Sequence, residues 1–334
     1  MRPPAFWRNS PDAPGIPARL LTPLSVLTRW LGRRRLANGE WARLAVPVIC
    51  VGNLNIGGTG KTPTVIALVE RLKARGVAVH VVSRGYGGRL AGPVEVEPRR
   101  HKARDVGDEP VLIAAFCRCW VARDRLAGAR AAVAAGAEVL VLDDGFQNPA
   151  LAKDLSIVVV DAGAGFGNGR VFPAGPLRET PEDGLDRADA LLVIGDAAER
   201  AKFLDAAPKQ PPLIEAELKP LETGMEWKGH KFLAFAGIGR PEKFFRTLRE
   251  LGAELIQTEA LNDHQPLNRR LLDRMEADAF FKGAQLVTTE KDATRLPEYL
   301  RFRVVTLPVR LHLVDWGVLD AAFDRLGLKR RDGT

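Results

Sequence analysis

One stretch constrains this chain more than any other: Val46-Pro-Val-Ile-Cys-Val51-Gly52-Asn-Leu-Asn55-Ile56-Gly57-Gly58-Thr59-Gly60-Lys61-Thr62, an apolar β-branched run, a glycine turn and a helix start in sequence. The run reads as a buried strand, and the glycines allow backbone angles with φ > 0. A helix opening at Lys61 then points its free N–H groups and the positive end of its dipole back at the turn. Such a turn takes an anion. Residues Asn55, Ile56, Gly57, Gly58, Thr59, Gly60, Lys61 and Thr62 therefore read as a nucleotide-phosphate loop. In it Lys61 reaches the β- and γ-phosphates, and the Thr62 hydroxyl is a ligand to a nucleotide-bound Mg²⁺. The P-loop pattern asks for glycine where this chain has Asn55, a residue that also visits the left-handed region.

Downstream the chain alternates apolar runs with helical ones. Strands are expected at 77–82, 138–142, 155–161 and 190–194, and helices at 63–75, from about 107 to 119, and at 125–135. This alternation predicts a doubly wound, mostly parallel α/β sheet with its ligand beyond the carboxyl ends of the strands. The 138–142 strand ends on Asp143 and Asp144. A carboxylate at the tip of a neighbouring parallel strand can hold the Mg²⁺ that Thr62 also binds, and the spacing does not say which of the two does so. Residues 167–179 are too rich in Gly and Pro for a regular element, and they carry Arg170 and Arg178.

Pro- and Lys-rich text over 206–230 marks a linker, after which 231–334 reads as a second, smaller α/β unit. The expected organisation is a segment 1–45, a core 46–205, the linker and that unit. Two polar spots stand out in the last: Asn262-Asp263-His264-Gln265, and Thr288-Thr289-Glu290-Lys291-Asp292, which reads as a helix start capped by Thr289.

Net charge is +8, and residues 1–45 hold eight arginines against Asp12 and Glu40. Leu20, Leu24, Leu27 and Leu31 recur at helical spacing, with Trp30 beside them and Arg33-Arg34-Arg35 at the end. A segment of about twelve residues rises roughly 18 Å, short of the ~30 Å hydrocarbon core, so it can lie on a bilayer but not cross it. The stripe fits packing on the protein's own core as well. Trp and Arg favour an anionic leaflet over nucleic acid, and no obligate protein partner is evident. The three cysteines sit in apolar runs, which speaks against a disulfide framework or a metal cage.

The set of motifs resembles the tetraacyldisaccharide 4'-kinases, also called lipid A 4'-kinases. It comprises the glycine turn with Thr62-Pro63, Ser83-Arg-Gly-Tyr86-Gly-Gly88, Gly107-Asp108-Glu109-Pro110, Asp143-Asp144-Gly-Phe-Gln147, Gly167-Asn-Gly169, Pro173-Ala-Gly-Pro-Leu-Arg178-Glu179, Phe235-Ala-Gly-Ile-Gly239, Asp263-His264 and Thr288-Thr-Glu-Lys-Asp-Ala293. The resemblance implies ATP- and Mg²⁺-dependent phosphorylation of the 4'-hydroxyl of an acylated glucosamine disaccharide 1-phosphate at the cytoplasmic face of a Gram-negative inner membrane. It further implies Lys61 and Thr62 on the triphosphate and metal, Asp143 or Asp144 supporting the metal with Glu109 as a further candidate, and Asp108 as base paired with His264. Tyr86, Arg125, Gln147 and Arg178 become candidates for the disaccharide and its phosphate. The family commonly has His where this chain has Asn148, so no role passes to that position. A ParA- or MinD-like membrane ATPase switch shares the loop, but its second lysine falls where Ile56 stands. A basic scaffold on nucleic acid leaves Asp108, Asp144 and His264 unexplained.

Overall fold

The computed structural model describes residues 3–207, 211–263 and 265–329. Eight strands up to the first crossing between lobes are Val48–Gly52 (β1), Val79–Ser83 (β2), Val94–Glu95 (β3), Arg118–Val121 (β4), Val139–Asp143 (β5), Leu155–Asp161 (β6), Ala190–Ile194 (β7) and Leu213–Pro220 (β8). Lys231–Ala236 (β9), Glu254–Ala260 (β10), Gln285–Thr289 (β11) and Val304–Leu307 (β12) form a second sheet, and Val309–Leu313 (β13) returns to the first. The large sheet runs β13-β8-β7-β6-β1-β5-β2-β4-β3, and the small one β10-β9-β11-β12. All pairs in the small sheet are parallel, and in the large one only β3 and β13, at its edges, pair antiparallel.

Side chains of a strand alternate between the faces of a sheet, and β1 is buried on both. Ile49 and Val51 join the layer beneath helix Lys61–Ala74 and the closing helix Gly317–Arg325, while Val48 and Cys50 join the layer beneath helix Arg125–Ala134 and the 166–185 region. Arg71 Nε bonds Asp320 at 3.0 Å and Arg75 reaches Asp324 at 2.6 Å, clamping the first two helices together. With β5 on one side of β1 and β6 on the other, strand order reverses at β1, and the crevice opens where its glycine turn begins.

Three expectations need correcting. The helix expected to run to about 119 spans Asp108–Ile113, and the chain then turns into β4, whose Cys119 and Val121 are fully buried while Arg118 points outward to Glu95. That alternation was the unread strand signal. The 206–230 stretch is not a plain linker, because β8 lies inside it and pairs with β7. Nor does the second unit extend to 334, since β13 and helix Gly317–Arg325 pack into the large core. The small lobe is thus an insertion between β8 and β13, and the chain crosses to it twice, side by side, where Leu221 N bonds Pro308 O at 2.9 Å.

The N-terminal helix is longer than expected, Ile16–Ala37, yet none of the described helices is long and apolar enough to cross a membrane. Ala18 and Ser25 face the protein, whereas Ile16, Leu20, Leu24, Val26, Leu27, Trp30 and Leu31 are each at least half exposed.

Candidate active site

The turn after β1 is shaped by close contacts. A Cβ on Gly52 would fall 2.4 Å from that of Phe146, and one on Gly60, where φ is +96°, would fall 2.5 Å from Ile194 Cδ1. Only glycine fits either place. Asn55, the departure from the P-loop pattern, is not left-handed. Its amide donates to Gly165 O at 3.1 Å, and its neighbours pair with the 176–178 strand-like segment through Ile56 N to Pro176 O and Arg178 N to Leu54 O, each at 2.7 Å. Lys61 and Thr62 open the following helix, both buried beneath the turn.

Beside the turn lie the carboxylates that end β5. Asp144 takes a left-handed backbone at φ 57°, which swings its side chain toward Lys61, 3.8 Å away, and into a two-pronged bond with Arg178 at 2.7 and 2.9 Å. Burial disfavours its charge, but Lys61, Arg178 and Arg125 together outweigh that and hold the carboxyl below its ordinary range. Asp143 goes the other way. Burial, then the nearby Glu109 and Asp144 charges, push it up to about 7 against the opposing effects of Lys61 and a Ser83 hydrogen bond. Ser83 Oγ donates to Asp143 Oδ2 at 2.9 Å, and Asp143 Oδ1 is buried with no hydrogen-bond partner among the described residues.

An orphaned carboxylate oxygen beside a second carboxylate and a helix-start threonine is a hard, all-oxygen donor set, and it fits Mg²⁺. Among the described residues no three or more His, Cys, Asp or Glu side chains converge as a cage.

Asp108 and Glu109 start the helix that follows Gly107, whose φ of 93° and contact with the Tyr86 carbonyl exclude a side chain. Asp108 is buried, and its Oδ1 accepts from the Glu109 N–H at 3.0 Å. Across the lobe boundary, Lys291 Nζ sits 3.2 Å from Glu109 and Arg295 Nε lies 3.8 Å from Asp108, while within its own lobe Lys291 is 3.5 Å from Asp263. Burial opposes the Lys291 charge, but Glu109, Asp108 and Asp263 more than compensate and raise its pKa. On the far side of the turn, Arg240 and Lys243 of the small lobe reach Asp161 at 2.6 and 2.9 Å. Between these contacts a Cβ on Gly239 would stand 3.3 Å from Gly58 O, so the small lobe lies directly over the phosphate loop.

The structure therefore brings together Lys61, Asp143, Asp144, Glu109 and Arg178. Gln147 is tied beneath the turn, donating to Asn53 O at 2.9 Å and Glu179 at 3.0 Å. Tyr86 is exposed at the rim. Arg125, expected on a substrate phosphate, is buried, and its Nη groups go to the backbone carbonyls of Asp143, Asp144 and Ala122. It braces the carboxylates from behind. His264 lies outside the described residues. Sequence reasoning missed Ser83, Lys291 and Arg295 as parts of the site. The Glu-Lys-Asp cluster after β11 was the available signal, and Thr289 does cap that helix, accepting from Asp292 N.

The family model for tetraacyldisaccharide-1-P 4'-kinase, LpxK, matches residues 17–327. A tetraacyldisaccharide 4'-kinase of Dinoroseobacter shibae is 61% identical over 330 residues, 98% of this chain and 98% of that protein. One from Jannaschia sp. is 57% identical, covering 98% and 99%. Among solved structures, LpxK from Aquifex aeolicus in complex with ATP superposes with a TM-score of 0.77 at 28% identity, covering 93% of this chain and 99% of that one.

Proposed function

The chain belongs to the tetraacyldisaccharide-1-P 4'-kinase family, and from that premise we infer how its cleft works. It is an ATP-dependent kinase that phosphorylates the 4'-hydroxyl of tetraacyldisaccharide 1-phosphate in lipid A biosynthesis. The turn from Asn55 to Thr62 holds the triphosphate, with Lys61 on the β- and γ-phosphates. Thr62, one or both of Asp143 and Asp144, and Glu109 would hold Mg²⁺, which supplies charge neutralisation between the phosphates.

Asp108 is the base. It receives the 4'-hydroxyl proton, and because the transition state is loose, that proton need leave only as the new P–O bond forms, which a weak carboxylate base can manage. His264, next to Asp263 in sequence, shares that proton. Arg178 and Gln147 beneath the turn and Tyr86 at the rim contact the sugar and its 1-phosphate, with Arg125 acting through the carboxylates it braces. The reading is carried by one observation: Asp143 keeps a buried oxygen with no hydrogen-bond partner among the described residues, beside Asp144, which stands 3.8 Å from Lys61 of the phosphate loop.

The substrate's four acyl chains stay in the bilayer, since each CH₂ drawn into water costs about 0.8 kcal/mol. The exposed apolar face of the N-terminal helix and its arginines bring the enzyme there as a peripheral protein on the cytoplasmic face of the inner membrane. Closure of the small lobe about the paired crossings at Leu221 and Pro308 completes the site and excludes water. Incubated with ATP and Mg²⁺ in detergent micelles, tetraacyldisaccharide 1-phosphate should gain a second phosphomonoester ³¹P resonance coupled to H-4'. An unchanged spectrum at full ATP occupancy would refute the assignment.

A further inference from the structure

Arg295 belongs neither to the phosphate loop nor to the metal set, yet it stands where the lobes meet. Its side chain is only 10% exposed. Nη1 donates to Gln265 O at 2.7 Å, Nη2 pairs with Asp292, and Nε is buried without a hydrogen-bond partner among the described residues, facing Asp108 Oδ2 at 3.8 Å. Asp292 is itself fully buried. Its Oδ2 accepts from Gly237 N at 3.0 Å and from Thr289 Oγ at 2.7 Å. Gly237 begins the turn whose Gly239 covers Gly58. One continuous set of contacts thus links the cover of the phosphate loop, through Asp292 and Arg295, to Asp108.

We propose that Arg295 is a positioning residue for phosphoryl transfer, a small-lobe cation that closure over the nucleotide delivers to Asp108. The planar guanidinium serves three directions at once: Asp292, the Gln265 carbonyl, and Asp108. Asp108 Oδ1 is already fixed by the Glu109 N–H. Arg295 orients the carboxylate from the side of its second oxygen. By holding Gln265 O, it also ties that backbone to the guanidinium that faces Asp108. Lys291 supplies the parallel contact to Glu109, so the segment from Lys291 to Arg295 meets both members of the Asp108–Glu109 pair. The inference rests on Asp108 being the base.

The test is a double-mutant cycle, with kcat, KM for ATP and lipid, and equilibrium ATP binding measured for Arg295→Gln and Arg295→Lys, alone and combined with Asp108→Asn. Arg295→Gln should lower kcat about tenfold or more while ATP affinity and both KM values stay within about threefold. Arg295→Lys, which restores charge without the fork, should recover part of the loss. On Asp108→Asn, which is itself slow, Arg295→Gln should add less than about threefold. Losses that multiply, a lysine variant as slow as glutamine, or an effect on unfolding temperature alone would overturn the role of Arg295 while leaving Asp108 in place. Wild-type turnover by Asp108→Asn would instead remove the base, and this role with it.

Discussion

Asp143 is held in a place that suits its function and costs the empty protein stability. Its carboxyl is raised from an ordinary 3.8 to about 7, chiefly by burial and then by the Glu109 and Asp144 charges. At 1.36 kcal/mol per pH unit, that difference sets an upper bound of about 4 kcal/mol on the cost of ionising it in the fold. A raised acid favours the folded state fully only below its unfolded pKa, and the advantage is lost as pH rises from about 4 through about 7. Asp143→Asn removes the ionisation, while its amide oxygen still accepts from Ser83. In the absence of nucleotide and metal, this variant should therefore unfold about 3 °C above wild type at pH 8, with a distinctly smaller gain near pH 5. Where Asp143 is the carboxylate of the proposed metal set, the variant should also lose most of its activity. Differential scanning fluorimetry at the two pH values checks the first statement and steady-state kinetics the second. A variant no more stable than wild type at pH 8, or equally stabilised at both pH values, would refute the claim that burial of this charge is what the site sustains.

Other consequences follow from the same geometry. Lys61→Ala should lower kcat by about a hundredfold or more with the fold intact by circular dichroism, because a buried phosphate contact is lost. Ser25→Ala removes a donor to Val171 O at 2.7 Å and an acceptor from Ala174 N at 3.1 Å, both buried. It should cost about 1–3 kcal/mol in denaturant unfolding and slow turnover, since the same loop carries Arg178. Replacing Leu24 and Leu27 by Glu, both half exposed on the N-terminal helix, should weaken sedimentation with anionic vesicles by about 2 kcal/mol, roughly thirtyfold, and leave ATP affinity unchanged.

Strong local periodicity made the centre of the fold legible. β1, β5, β6 and β7 are apolar runs, because parallel strands buried on both faces have no polar side to show. The strands next to the sheet's edges hid for the opposite reason. β4 follows its helix after one tight turn, and β8 alternates Glu215 and Glu217 with buried neighbours, next to text that reads as a linker. Asp108 and Glu109 entered as site candidates only through the family resemblance, whereas the glycine turn, Asp143 and Asp144 were legible because each sits at a strand end or helix start, where local sequence dictates geometry. Arg295 and Lys291 were not, since their meaning comes from a lobe inserted between β8 and β13 and folded back over the turn. Arg125 misled for the same kind of reason: from sequence, an arginine that braces backbone carbonyls looks the same as one that meets a phosphate.

The central claim is that the glycine turn and the acylated sugar meet in one cleft, so that phosphorus passes directly between them. Its most direct measurement follows ATP labelled at the γ-phosphate, incubated with Mg²⁺ and tetraacyldisaccharide 1-phosphate in micelles, for wild type and Lys61→Ala in parallel. Label should move into the lipid with wild type, with little released as inorganic phosphate, and should stay in ATP with the variant. Label released only as inorganic phosphate, with none on the lipid at any concentration, would contradict the account.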